Sequence, residues 1–221
     1  MAKATEADRM PPISLDQLTP AQKAAHDELT SGPRGKLAGP FVPLLRSPEL
    51  MTRVQKVGEY LRFESALPDR IKEFAILVVA RFWSQGYEWS FHLPLALKVG
   101  VTRDTAEAIA AGRRPGALTP PEAAAYDFLT ELNADKAVGD AAYARALDAF
   151  GEAGVIDLAG LVASVGLIIL SPGVWVKVLH HAAPIFPSDY PALVSSPLAF
   201  LVIWLVSTAT QPRAKPSPAR A

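Results

Sequence analysis

The sequence predicts an all-α protein of roughly seven to nine helices arranged as one helical domain. Three observations point that way. Apolar residues recur at the three- and four-residue steps of an amphipathic helix in one segment after another. No stretch alternates apolar and polar residues over the length of a strand. The 20 prolines fall mostly where helices start or where loops run.

Length and composition set the frame. A chain of 221 residues, 50% of them apolar, suits one domain with tails. Residues 1–17 read as an N-terminal arm, 18–170 as the helical domain, and 171–221 as a C-terminal extension. Its end, QPRAKPSPARA, is Pro- and Ala-rich and expected to be disordered. Basic and acidic residues number 22 each, giving a formal net charge of zero, which argues against a nucleic-acid partner. There is no cysteine, so disulfides, thiolate metal sites and a cysteine nucleophile are excluded. That fits a reducing compartment, and a cytoplasmic location is expected. MAKATEADRMPPISL lacks the apolar core of a secretory signal. Val155–Leu170, whose one charge is Asp157, and the apolar Leu198–Val206 both fall short of the roughly 20 residues that span a bilayer. Buried helices are expected there, not membrane spans.

The elements follow in order. Thr19-Pro20 reads as an N-cap and first turn, with a short helix through about Leu29. Ser31–Pro43, SGPRGKLAGPFVP, is too punctuated for a helix. It is a connector, or a loop that folds over a pocket and offers N–H groups and the cations Arg34 and Lys36 to an anion. Ser47-Pro48-Glu49 begins a helix running to about Phe63, with Leu50, Val54, Val57 and Leu61 as its apolar stripe. Leu67-Pro68 opens the next, with Asp69 near the positive end of its dipole. In that helix Phe74, Leu77, Val78 and Arg81 form one row, and Ala75, Val79 and Phe82 a second, so much of it is expected to be buried. Gly86 punctuates the chain, and a helix from about Tyr87 to Val99 stops at Gly100. Thr102 caps a short helix through Ala111, and Thr119-Pro120-Pro121-Glu122 starts one running to about Asn133. Gly139–Phe150 is a further helix, separated by Gly154 from Val155–Leu170.

Nearly all the chemistry lies in Ile71–Val101. Glu88 and His92 are four residues apart and share a helical face. Glu73 lies one helix earlier, where side-by-side packing brings it to the same place. A carboxylate bonded to one ring nitrogen of a histidine fixes the tautomer, raises the ring's affinity for a proton and leaves the other nitrogen to act. Each residue alone has a plainer reading: Glu73 as a solvated first-turn charge, Glu88 as a surface charge, His92 as a satisfied core residue. Their joint placement favours a proton relay. Arg81 is a candidate clamp for a substrate carboxylate, with internal pairing to Glu88 or Glu73 the stronger reading. Trp83 and Trp89 are candidates for a pocket wall, although aromatics at helical spacing are more often core. His180-His181 point in different directions on a helix and do not suggest a shared metal, and His26 reads as surface.

At Glu73, Arg81 and Tyr87-Glu88-Trp89-x-x-His92 the sequence resembles the carboxymuconolactone decarboxylase, or AhpD-like, family. The resemblance runs over about Leu18–Val162 and takes in Gly39–Phe41 (GPF) and Leu45–Leu50 (LRSPEL). In the family's thiol branch a Glu, a C-x-x-C and a His make up the site. Glu73 and His92 match its ends, while Gln85 and Glu88 stand at the cysteine positions, so disulfide-cycling peroxidase chemistry is not expected here. The resemblance implies an AhpD-like fold that assembles as a homotrimer or homohexamer, and the C-terminal extension departs from the family's pattern. It also implies a cofactor-free carboxy-lyase of aromatic degradation, needing no metal and acting on a small carboxylated lactone. His92 would donate the proton, Glu88 or Glu73 would orient it, and Arg81 or Arg34 would bind the anion, with Trp89 and Phe41 as further substrate contacts. The alternative is a non-catalytic oligomeric binding protein in which a Glu–Arg–His network is structural.

Overall fold

In the computed structural model, which describes residues 10–170, eight α-helices follow one another with no strand among the described residues. They are α1 (Pro20–Ser31), α2 (Phe41–Leu44), α3 (Pro48–Glu59), α4 (Asp69–Phe82), α5 (Gly86–Lys98), α6 (Arg103–Ala110), α7 (Pro120–Asp135) and α8 (Asp140–Leu170). The fold class expected from the sequence is therefore the observed one. Residues 1–9 of the arm and the extension 171–221, with His180, His181 and Leu198–Val206, lie outside the described residues.

The helices start where the sequence carries starts. Thr19 and Thr119 each accept from the backbone N–H of the third helical residue, and that residue's side chain reaches back to the cap, Gln22 in one case and Glu122 in the other. Each such cap contributes about 1 kcal/mol. Glu122 is fully buried, and it also takes Arg70 Nε at 2.9 Å, so an ion pair locks the start of α7 to α4.

Every residue from Ile71 to Ala80 of α4 is buried, which is more than an amphipathic stripe. A helix apolar on all sides must be covered on all sides, and α5, α7 and α8 supply the cover. Phe74, Leu77 and Val79 have no accessible surface, and Phe128, Leu129 and Leu158 close over them within the same core. Arg81 and Phe82, expected to continue the buried rows, are exposed, because the last turn of α4 emerges from the core before the chain reverses at Trp83–Gln85. A second, smaller core joins α1, α2 and α3 through Leu29, Phe41, Leu45, Met51 and Val54. It anchors the end of the Pro- and Gly-rich loop, whose last residues form the single turn α2 where a loop was expected as far as Pro43.

Two boundaries differ from expectation. The helix after Ser47 is α-helical only to Glu59 and finishes in a π turn, Tyr60–Glu64. Within α3 the buried face is Met51, Val54 and Gln55, and Val57 is exposed; the wider turn then rotates Leu61 back into the core. In α8 the break falls at Gly151 (φ 66°, ψ 178°) and not at Gly154. Gly154 instead allows close packing: a Cβ there would meet Phe150 Cβ at 2.5 Å and Leu67 Cδ2 at 3.3 Å. Beyond the kink Val155, Leu158, Leu161 and Val165 join the main core. By length and composition alone Asp140–Gly166 also passes as a membrane span, as core helices do.

The backbone at Gly151 lies in a region that is essentially closed to L side chains. Gly151→Ala should therefore lower unfolding stability by about 1–3 kcal/mol. Gly116→Ala, at a position with nothing within 4 Å of the added Cβ, should not. Chemical denaturation of both variants checks this; equal midpoints would contradict the assignment of the kink to Gly151.

Candidate active site

The reversal between α4 and α5 is a tight one. Ser84 adopts a left-handed conformation (φ 54°), the Gln85 backbone N–H donates to the Ala80 carbonyl at 2.7 Å, and the Gln85 side chain caps α5 by accepting from Tyr87 N–H. α5 is thereby folded back along α4, and residue 92 comes to lie beside residue 73. Glu73 Oε2 is 2.7 Å from His92 Nδ1. Glu88 Oε2, one turn before His92 on α5, is 3.4 Å from Nε2. The three groups predicted to meet thus do meet, with relative exposures of 8% (Glu73), 7% (Glu88) and 6% (His92).

A carboxylate accepts and does not donate, so the proton on Nδ1 belongs to the bond with Glu73. The contact of Nε2 with Glu88 is longer, so Nε2 is the less tightly held of the two ring nitrogens. Burial is the largest single influence on His92 and disfavours its charge. The hydrogen bonds to Glu73 and then Glu88, with the charges of both, act the other way and prevail, so its pKa is raised above the ordinary 6.5.

His92 and Glu88 face a cavity of about 110 Å³, partly open to solvent, between α3, α5, α8 and the loop before α2. Arg34 and Phe41 line it, as the loop-over-pocket reading of Ser31–Pro43 expects, and Arg34 lies over the Phe41 ring with Cζ 4.6 Å from its centroid. The glycine of the GPF motif has a positional reason. Gly39 is left-handed (φ 58°), and a Cβ on it would fall 2.3 Å from the Tyr87 phenol, so Gly39 leaves the space in which Tyr87 reaches the cavity. Burial raises the Tyr87 pKa, as does the charge of Glu88, against Arg62 and Arg34.

Two expected contacts are not found there. Arg81 does not line the cavity and is not joined to Glu73 or Glu88; it is exposed at the end of α4 and donates through Nε to the Ala110 carbonyl at 2.7 Å, clasping α6. The network at the site is therefore Glu–His–Glu without an arginine. Trp89 lies on the other side of α5 and packs against the main core, as a core aromatic does. Sequence reasoning missed Arg62, Gly58, Tyr87 and Ser164, which all line the cavity. Arg62 carried no signal: its direction is set by the π turn, which a regular helical count through Phe63 does not anticipate.

Residues 48–131, from the start of α3 to the last turns of α7, match the model of the carboxymuconolactone decarboxylase family. No solved structure gives a significant match to the chain. The matched span holds Glu73, Glu88 and His92, while Arg34 and Phe41 reach the cavity from outside it.

A histidine whose pKa is higher folded than unfolded contributes stability that is fully present below about pH 6.5 and is lost as pH rises through its folded value. In Glu73→Gln the hydrogen-bond acceptor survives and the charge does not. NMR titration should show the His92 pKa falling in Glu73→Gln, and falling less in Glu88→Gln because that contact is longer. The pH-dependent gain in stability should shrink in step. An unmoved His92 pKa in Glu73→Gln would contradict the electrostatic account of the site.

Proposed function

Given that residues 48–131 are a carboxymuconolactone decarboxylase family domain, we propose that the protein is a cofactor-free carboxy-lyase. It acts on a small carboxylated lactone by general acid–base catalysis. The observation that carries this reading is a cavity-lining histidine with Nδ1 held by one buried carboxylate and Nε2 beside a second. The same cavity holds a cation, Arg34, able to receive a substrate carboxylate.

The reaction needs a pair of electrons moved and a proton placed. The bond between the substrate carbon and its carboxylate breaks, carbon dioxide leaves, and the electron pair enters the conjugated lactone as an enolate. His92, protonated under the influence of Glu73 and Glu88, delivers a proton to carbon from Nε2 and is recharged from solvent through the open side of the cavity. Glu73 orients the ring, and Glu88 stands beside Nε2 where the proton is exchanged. Cationic groups around the cavity stabilise the developing negative charge. Thiol-based peroxide reduction is closed to this chain, which has no cysteine. A homotrimeric or homohexameric assembly belongs to the same proposal by resemblance, and a cytoplasmic location by the cysteine-free composition.

The purified full-length protein, given carboxymuconolactone, should release carbon dioxide and form the enol-lactone. His92→Gln should lower kcat by about 10²–10⁴-fold, the usual worth of a positioned acid–base group. Its circular dichroism should stay that of the parent. A parent that binds the lactone without releasing carbon dioxide, or a His92→Gln variant with parental kcat, would overturn the reading.

A further inference from the structure

We propose that Arg62 and Arg34 form the two jaws of a clamp for a substrate carboxylate, and that Gly58 determines specificity by admitting Arg34 to it. The inference rests on the carboxylated substrate proposed above and names the residues of this chain that select for it.

Both side chains line the same cavity as His92 and Glu88. Each is held over aromatic rings and not by an acid. Arg62 Cζ lies 5.0 Å from the Phe63 ring centroid and 5.1 Å from that of Phe91, and Arg34 lies over Phe41. Among the described residues neither guanidinium makes an ion pair, and Arg34 Nε is buried with no hydrogen-bond partner. Two like charges therefore share a partly desolvated space. Burial and then the charge of Arg62 act against the Arg34 cation, while Glu59 and Glu88 support it only at a distance. Neither cation is neutralised by a contacting carboxylate among the described residues, although Glu88 lines the same cavity. Planar guanidinium groups match the planar, two-oxygen geometry of a carboxylate. Lys36, exposed at the same cavity, adds attraction at the rim.

Positioning of both jaws is built into the backbone. The π turn that carries Arg62 is tied to α4 by Lys72, whose Nζ donates to the Arg62 carbonyl at 3.0 Å. For Arg34 the device is a missing side chain. A Cβ on Gly58 would stand 2.6 Å from Arg34 Nη2, so any larger residue at 58 pushes the guanidinium out of its place. The obstructed atom is the far end of a flexible chain, and Gly58 lies inside α3, where alanine favours the helix. Gly58→Ala therefore displaces the jaw without removing a charge or opposing the fold.

The test is calorimetric titration of the full chain with benzoate, and with benzamide as its neutral counterpart. Benzoate should bind and benzamide should not. Arg62→Gln should weaken benzoate binding by at least about tenfold, as expected for loss of a hydrogen bond to a charged group. Gly58→Ala should weaken it several-fold although every charge remains, and Gly116→Ala, whose added Cβ meets nothing within 4 Å, should leave it unchanged. Absence of benzoate binding, equal binding of benzamide, or parental affinity in both Arg62→Gln and Gly58→Ala would overturn the clamp. Lactone turnover with parental affinity in both variants would refute the clamp alone. Tight benzoate binding without lactone turnover in the parent would refute the decarboxylase reading alone.

Discussion

Glu73 Oε2 and His92 Nδ1 meet at 2.7 Å in the hairpin of α4 and α5, and most of what surrounds them is arranged around that contact. Taking a carboxylate out of water costs several kcal/mol unless a partner meets it. Glu73 sits on a helix buried along ten consecutive residues, so water is not that partner. The imidazole is. The tight turn at Ser84–Gln85 sets the separation of the two helices, and α7 and α8 cover the remaining sides of α4. Removing one partner leaves the other charged or unbonded in the core, a loss of about 3–5 kcal/mol for buried pairs. The pair thus fixes both the seating of the helices and the direction in which the free edge of the imidazole points.

His92 also lines a partly open cavity. Around it the chain gathers three cations from two separate elements: Arg34 and Lys36 on the loop before α2, and Arg62 on the π turn. Among the described residues only Glu88 offers a lining carboxylate in return. The cavity lining thus combines Glu88 and His92 from α5 with cations from the loop and the π turn. A residue at position 88 that is a carboxylate and not a thiol has a direct consequence. It places a second negative charge beside Nε2, which favours the protonated imidazole.

Much of this was legible in the sequence, and the reasons differ by residue. The helix starts at Thr19 and Thr119 were readable because capping chemistry is local. Glu88 and His92 were readable because one helical turn separates them. Glu73 required only that consecutive helices pack. Arg81 was misplaced because helical periodicity gives the face of a residue and not the depth at which its helix leaves the core. The break at Gly151 was placed at Gly154 because composition does not distinguish a glycine needed for its backbone angles from one needed for its missing side chain. Arg62 and Gly58 were invisible for a related reason. One depends on a π turn, and the other acts through an atom it lacks.

The central claim is that the His92 edge of this cavity places the proton on carbon. Turnover in deuterium oxide tests it most directly. If the proton comes from a fixed imidazole on one wall, the product carries one deuterium at the protonated carbon in a single configuration. Deuterium in both configurations equally would mean that the enolate is protonated by bulk water, and would contradict the account.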